Sequence, residues 1–217
     1  MLLALDTSTS QTGLCLYDGA KIIAESLWVS RAHHTQELAP ALKDILRKSA
    51  TSINDVQAIG VALGPGSFTS LRVGLSFAKG LLLAKQIPLA GIGSLDITAS
   101  SQPLSELPLI ALLQAGRNKL AAQTFHAGAD GWISNEAARV TNVTALANEI
   151  TSPCLVCGEL NAEERNTLAQ NKNIFLAAPE NSSRRPSVLA ALAWRKWKIN
   201  ALENASALAP IYLRTEA

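Results

Sequence analysis

Charge is scarce in this chain. Only 17% of its 217 residues are charged, and the formal net charge is +2. So small an excess excludes a surface that tracks a nucleic-acid backbone along its length. Long apolar runs are absent too: no stretch approaches the roughly 18 consecutive apolar residues of a membrane-spanning helix. The sequence opens directly on an apolar strand, with no charged leader and cleavage site, so no export signal is expected. Three cysteines in that setting fit a reducing compartment. A cytoplasmic location without membrane contact is therefore expected. Metal motifs are missing as well. Cys154-Leu-Val-Cys157 lacks the second pair of a structural zinc site. His33 and His34 are adjacent and His126 stands alone, so no two histidines share a helix face four apart. They read as surface or capping residues, and no metal site is expected. No nucleophile–base pairing of a peptidase is evident.

What the chain has is apolar content. Hydrophobic residues make up 48% of it, more than a monomer's core requires, which hints at an oligomer or a permanent partner. Periodicity divides the chain into two similar halves. Residues 2–5, 13–17 and 21–29 read as strands, with Asp18-Gly19 as a hairpin turn. A helix over 36–49 follows, with Pro40 near its start; then come strand 58–63, helix 68–85, strand 89–92 and a short helix from Ser94. The Pro-punctuated stretch 100–108 reads as a boundary. Strands 109–114, 120–125 and 133–140 and helix 142–150 come next. Strand 154–157, helix 161–169, strand 174–177 and a last helix over 186–200 complete the chain. Three strands, helix, strand, helix thus occurs twice. That order resembles the ribonuclease H-like half, two of which build the actin-like ATPase (ASKHA) architecture. The expected fold is α/β: two ribonuclease H-like lobes, each with a mixed five-stranded sheet and helices. The lobes are expected at 1–102 and 103–217, with the tail from about 205 returning to the first.

The turn Gly64-Pro65-Gly66-Ser67 joins a buried strand to a long helix. A helix start offers unpaired N–H groups and a partial positive charge, which suits a phosphate, a carboxylate or a partner's backbone. It is neither a dinucleotide fingerprint, since Thr69 takes the third glycine position, nor a P-loop, since no Gly-Lys-Ser/Thr follows. A tight turn with Ser67 as helix cap would account for it equally. In the helix behind it, Ser70, Gly74 and Ala78 form a ridge of small residues four apart. Leu71, Val73, Leu75, Phe77 and the leucines at 81–83 spread apolar surface around the rest. A helix apolar all round is buried all round. Either its own lobe covers it, or the small ridge receives a helix of another chain.

Asp6-Thr7-Ser8 ends the first strand, where carboxylate and hydroxyls suit a magnesium–phosphate group. An Asx turn would explain them too. The corresponding place in the second half holds the neutral Gln114, which cannot serve as general base. The two cysteines, three apart on a strand, face opposite sides and read as buried small hydrophobes. Arg184-Arg185 and the Trp194-Arg-Lys-Trp-Lys198 run mix cations with indoles. They read first as a helix end with tryptophans packed beneath, and second as the place where RNA would touch the chain.

Several stretches together resemble the bacterial TsaB (YeaZ) family. They are residues 3–8, the 64–69 block with Leu71-Arg72-Val73-Gly74, His34 to Pro40, and the tail Pro210-Ile-Tyr-Leu-Arg214. At two places the chain departs from that pattern: Ser70 stands where glycine is usual, and Gln114 where an acid is usual. The resemblance implies a non-catalytic relative of TsaD, required when TsaD, with the ATPase TsaE, makes threonylcarbamoyladenosine beside the anticodon of tRNA. It implies partner contact through the first half: Thr35, Leu38 and Leu42 on one helix, and Ser67, Phe68, Ser70, Leu71, Arg72, Gly74, Leu75 and Ala78 on the other. A TsaD-like catalytic subunit, a TsaE-like ATPase and tRNA held through the complex are the implied partners, with a homodimer when the chain is alone. No cofactor is required by the chain itself, and ATP or ADP is implied only at the subunit contact. The competing expectation is an actin-like ATPase or small-molecule kinase using Asp6 and the turn at 64–67.

Overall fold

The computed structural model describes residues 1–31, 33–116, 118–202 and 204–213. Arg117 and Arg214, part of the sequence motifs above, lie outside the described residues. The chain forms two compact units. Among the described residues, one comprises 1–94 and 185–211; the other comprises 95–184 with Tyr212 and Leu213.

In the first unit, β1 (Leu2–Asp6), β2 (Gln11–Tyr17) and β3 (Ile22–Val29) run antiparallel. The Asp18 carboxylate closes the β2–β3 turn by accepting the N–H groups of Ala20 and Lys21, each at 2.8 Å. Helix α1 (His34–Lys48) leads to β4 (Ala58–Ala62), and α2 (Phe68–Lys85) leads to β5 (Leu89–Ile92) and α3 (Ser94–Ser100). The strand order is β3-β2-β1-β4-β5, with β1, β4 and β5 parallel. Helical crossovers of this kind leave both faces of the parallel strands covered, so β1 and β4 are apolar along almost their whole length. One face sends Leu3, Leu5, Leu14 and Leu16 against Leu38, Leu42 and Ile45 of α1 and Leu75 and Ala78 of α2.

Helix α6 (Pro186–Lys198) packs on the same sheet, across β1, β2 and β4. A β-carbon on Gly60 would lie 2.5 Å from that of Ala193, so the missing side chain is what lets α6 settle on β4. The expected lobe boundaries thus differ from the observed units. The first unit ends at Ser94 instead of 102, and the chain rejoins it at Arg185 instead of about 205. Sequence period alone assigned the last helix to its neighbours in the chain, whereas a flat glycine floor in the other sheet receives it. Helix α1 also begins at His34, two residues before its expected start, which places Pro40 inside the helix.

The second unit repeats the order with β6 (Leu109–Gln114), β7 (Leu120–Gly128), β8 (Gly131–Ile133) and β9 (Arg139–Thr141). Helix α4 (Val143–Glu149), β10 (Cys154–Gly158), α5 (Ala162–Ala169) and β11 (Ile174–Leu176) follow. Its sheet runs β11-β10-β6-β7-β8, with β9 also paired to β7. Among the described residues it therefore has six strands where five were expected. The stretch expected as a single strand at 133–140 is broken by a turn in which the Ser134 hydroxyl accepts the Glu136 N–H at 3.2 Å. Asn142 caps α4 by accepting the Ala145 N–H, and Asn161 and Glu164 cap α5 reciprocally, so each helix start has a side-chain acceptor.

Candidate functional site

The end of β1 and the Gly64–Ser67 turn are tied together. Asp6 Oδ1 accepts the Ser8 N–H at 2.8 Å, and the Ser67 N–H donates to the Ser8 carbonyl at 2.7 Å. The Ser8 and Ser94 hydroxyl oxygens lie 2.6 Å apart, and Ser94 Oγ also accepts the Gly64 N–H at 3.1 Å. A β-carbon on Gly66 would overlap the Ser8 carbonyl, so only glycine permits this approach. Pro65 has no N–H, and two of the three others in the turn are committed within the unit. As a phosphate cradle the turn therefore does not fit: it looks inward. Ser67 caps α2, accepting the Ser70 N–H at a long 3.5 Å and the Ser70 hydroxyl at 3.0 Å. Ser94 gave no signal in the sequence beyond opening a helix, yet it joins both parts of this arrangement.

The small ridge of α2 is turned the same way. Ser70, Leu71, Gly74, Leu75 and Ala78 are all buried in the unit. Thr7 donates its hydroxyl to the Ser70 carbonyl at 2.7 Å, and a β-carbon on Gly74 would overlap that hydroxyl. These five residues, expected to meet a partner, are instead covered by their own sheet. The periodicity reported small residues correctly but could not report which neighbour approaches them. The helix is also not enclosed on all sides: Phe68 and Leu83 are 53% and 76% exposed.

What α2 does present outward lies beside α1. Thr35 and Leu38 from α1 and Arg72, Val73, Ser76 and Phe77 from α2 line a groove of about 460 Å³. Thr35, Arg72 and Ser76 are exposed, Val73 and Phe77 are half-buried, and Leu38 forms the floor. The Arg72 guanidinium stacks on the Phe68 ring at 3.6 Å from its centre. Leu42, also expected at a contact, is core. Thr35, Leu38 and Arg72 of this groove were among the expected contact residues, whereas Val73, Ser76 and Phe77 were not. The sequence signal for them was the apolar surplus itself.

Other sequence-flagged residues have internal roles. His34 is buried, with Nδ1 3.1 Å from the Thr12 hydroxyl, and burial keeps its imidazole below the usual pKa. It is a core histidine, not a surface or capping one. Burial pushes the thiols of Cys15 and Cys157 up to about 12, with Glu25 adding to the effect at Cys15, and it raises Cys154 as well. Cys154 and Cys157 enter separate apolar clusters on the two faces of β10. Gln114 Nε2 donates to the Glu164 carboxylate (2.9 and 3.1 Å) and to the Glu159 carbonyl (3.0 Å). An acid at 114 would set two carboxylates against each other. Arg184 is 1% exposed and pairs with Glu159, so it offers nothing to RNA. Trp194 packs edge-on to Tyr17 and Trp197, with Lys198 4.7 Å from both indoles. Among the described residues no cluster of His, Cys, Asp and Glu could hold a metal ion, and no helix is long and apolar enough to cross a membrane.

Two sheets of matching strand order, each with crossover helices, define an α/β protein of the actin-like ATPase architecture. The fold is similar to that of a Pseudomonas aeruginosa protein described as having similarity to peptidase YEAZ. The TM-score is 0.80 at 23% identity, covering 98% of this chain and 99% of that one. Residues 23–181 match the family profile TsaD: tRNA N6-adenosine threonylcarbamoyltransferase. An Escherichia coli tRNA threonylcarbamoyladenosine biosynthesis protein TsaB is 37% identical over 94 residues, 43% of this chain and 40% of that protein. Its Haemophilus influenzae namesake is 39% identical over 107 residues, 49% of this chain and 44% of that protein. The matched stretch spans less than half the length of these relatives. The chain belongs to the TsaD-type family of that profile and is a TsaB (YeaZ) member of it.

Proposed function

We propose that this chain serves the synthesis of threonylcarbamoyladenosine beside the anticodon of tRNA as a non-catalytic subunit that binds and activates a TsaD-type catalytic subunit. The α1–α2 groove carries the reading. It leaves the apolar side chains of Val73 and Phe77 on α2 half-exposed beside α1, a face that a partner's helices can cover. Helix pairing there would raise activity by binding the partner's active state more tightly than its inactive one. A TsaE-like ATPase joins the same assembly, and tRNA meets this chain through the complex. The chain needs no cofactor of its own, and ATP or ADP enters at the subunit contact. Without its partner, the chain closes the groove on a second copy as a two-fold dimer.

Titration calorimetry with a TsaD-type subunit tests the reading. Ser76→Arg and Thr35→Arg, both on exposed positions, should weaken binding about a hundredfold or more by placing bulk and charge in the contact, while leaving the melting temperature unchanged. Wild-type affinity in both variants would overturn the groove as the contact. Robust ATP turnover by the isolated chain, abolished by Asp6→Ala, would overturn the non-catalytic role.

A further inference from the structure

Beyond α6 the chain returns to α2. Residues 204–211 form no helix or strand. They begin with a turn in which Asn204 accepts the Ser206 N–H on its side chain and the Ala207 N–H on its carbonyl. Of 204–211, Leu208 alone is buried, and it enters the core cluster of Leu75, Ala78 and Leu89. Gly91 of β5 makes room for it, since a β-carbon there would lie 3.1 Å from Leu208 Cδ2. The Lys79 ammonium of α2 donates to the Leu208 carbonyl at 2.8 Å. The Ile211 N–H donates at 2.7 Å to the carbonyl of Leu63, the residue before the Gly64–Ser67 turn. A β-carbon on Gly64 would stand 2.7 Å from the Ile211 carbonyl, so glycine also admits the tail at this turn.

These anchors fall on the parts that support the α1–α2 groove. Lys79 and Arg72 are seven residues apart on α2, which puts them on one side of the helix, and Arg72 lines the groove. Leu63 leads into the turn whose Ser67 caps α2. The segment itself has one buried side chain and no regular structure. Segments so lightly held open locally, without unfolding of what they cover.

We propose that residues 204–211 act as a strap: closed, it fixes α2 and the turn in the arrangement a partner helix requires; open, it weakens that partner's hold. The proposal rests on the α1–α2 groove as the contact. Such coupling is reciprocal, so a partner favoured by the closed strap must itself favour closure. Lys79 is then a positioning residue, acting through α2 and the Leu208 carbonyl.

The test follows amide exchange and partner affinity in the full chain. In the wild type, low urea should leave Ile211 exchange unchanged, whereas the amides of β1 should respond to urea with global unfolding. Saturation with a TsaD-type subunit should slow Ile211 exchange. Leu208→Asp cannot bury its carboxylate, so the strap should stand open and the subunit should bind about tenfold or more weakly. Lys79→Met carries the same test should that variant fail to fold: it should speed Ile211 exchange and weaken binding. Lys79→Arg, which keeps a donor for the Leu208 carbonyl, should do neither. Ala209→Arg, at an exposed tail position, should bind as the wild type does.

Ile211 exchange that rises with urea as β1 does, unaltered Ile211 exchange in the complex, or wild-type affinity in Leu208→Asp and Lys79→Met would overturn the strap. Weakened binding by Ala209→Arg would overturn it too, by placing the tail in the contact itself. A wild-type chain that forms no complex would overturn the groove reading and the coupling with it, whatever the exchange of Ile211.

Discussion

The Thr7 hydroxyl occupies the space that a side chain at Gly74 would need, and it donates to the carbonyl of Ser70 one turn earlier in the same helix. The small stripe of α2 is thus the seat of the chain leaving β1, and the proposed partner face lies around the helix from it. Gly74→Ala should therefore act on the fold. Helix propensity would return about 1 kcal/mol, against an overpacking cost of about 1–3 kcal/mol. A net loss is expected in urea denaturation, larger for Gly74→Leu, with partner affinity per folded molecule unchanged.

His34 should make the protein acid-sensitive. Its folded pKa lies below the usual 6.5 because burial disfavours the imidazolium. Above 6.5 both states are neutral and the contribution is fully present; as pH falls below 6.5 the unfolded chain takes up the proton first, and stability is lost. Urea midpoints at pH 7.5 and 5.5 should differ in the wild type and differ less in His34→Gln. The depressed Asp18, Glu37 and Asp44 add a loss of the same sign, but only as pH falls through the carboxylate range.

The cysteines should be silent in the native state. With Cys15 and Cys157 pushed up to about 12 and Cys154 raised, thiolate is negligible at neutral pH. Ellman's reagent should react slowly with the folded chain and rapidly with all three thiols once guanidinium chloride unfolds it. Fast reaction of any of them before unfolding would contradict this burial.

Arg184→Ala should destabilise by about 3–5 kcal/mol, because it removes a buried cation from Glu159. A double variant with Glu159→Ala should recover part of that loss, which a double-mutant cycle in urea would measure. Additive losses would show that the pair is not coupled.

These residues also show what a sequence can disclose. Period-2 and period-3.6 patterns marked nearly every element, since burial on one or both faces leaves that trace directly. The Gly64–Ser67 turn was equally plain, because glycine and proline act locally. Direction was not plain. A ridge of small residues announces close approach but not the approaching body, which is Thr7 in this chain. The allegiance of α6 depended on Gly60, more than a hundred residues away, being flat enough to receive Ala193. Arg184 read as half of a basic pair because its partner Glu159 is a neighbour only in space. His34 looked like a helix cap until Thr12 of β2 was brought beside it. The outward groove was visible only as an apolar surplus on α2, without the particular residues Val73, Ser76 and Phe77 that shape it.

The most direct measurement is threonylcarbamoylation of tRNA by a reconstituted TsaD-type subunit and TsaE-like ATPase, with and without this chain. Wild-type chain should raise product formation many-fold and Ser76→Arg should not, although the variant remains folded. Equal product formation in its absence, or full stimulation by Ser76→Arg, would contradict activation through the α1–α2 groove.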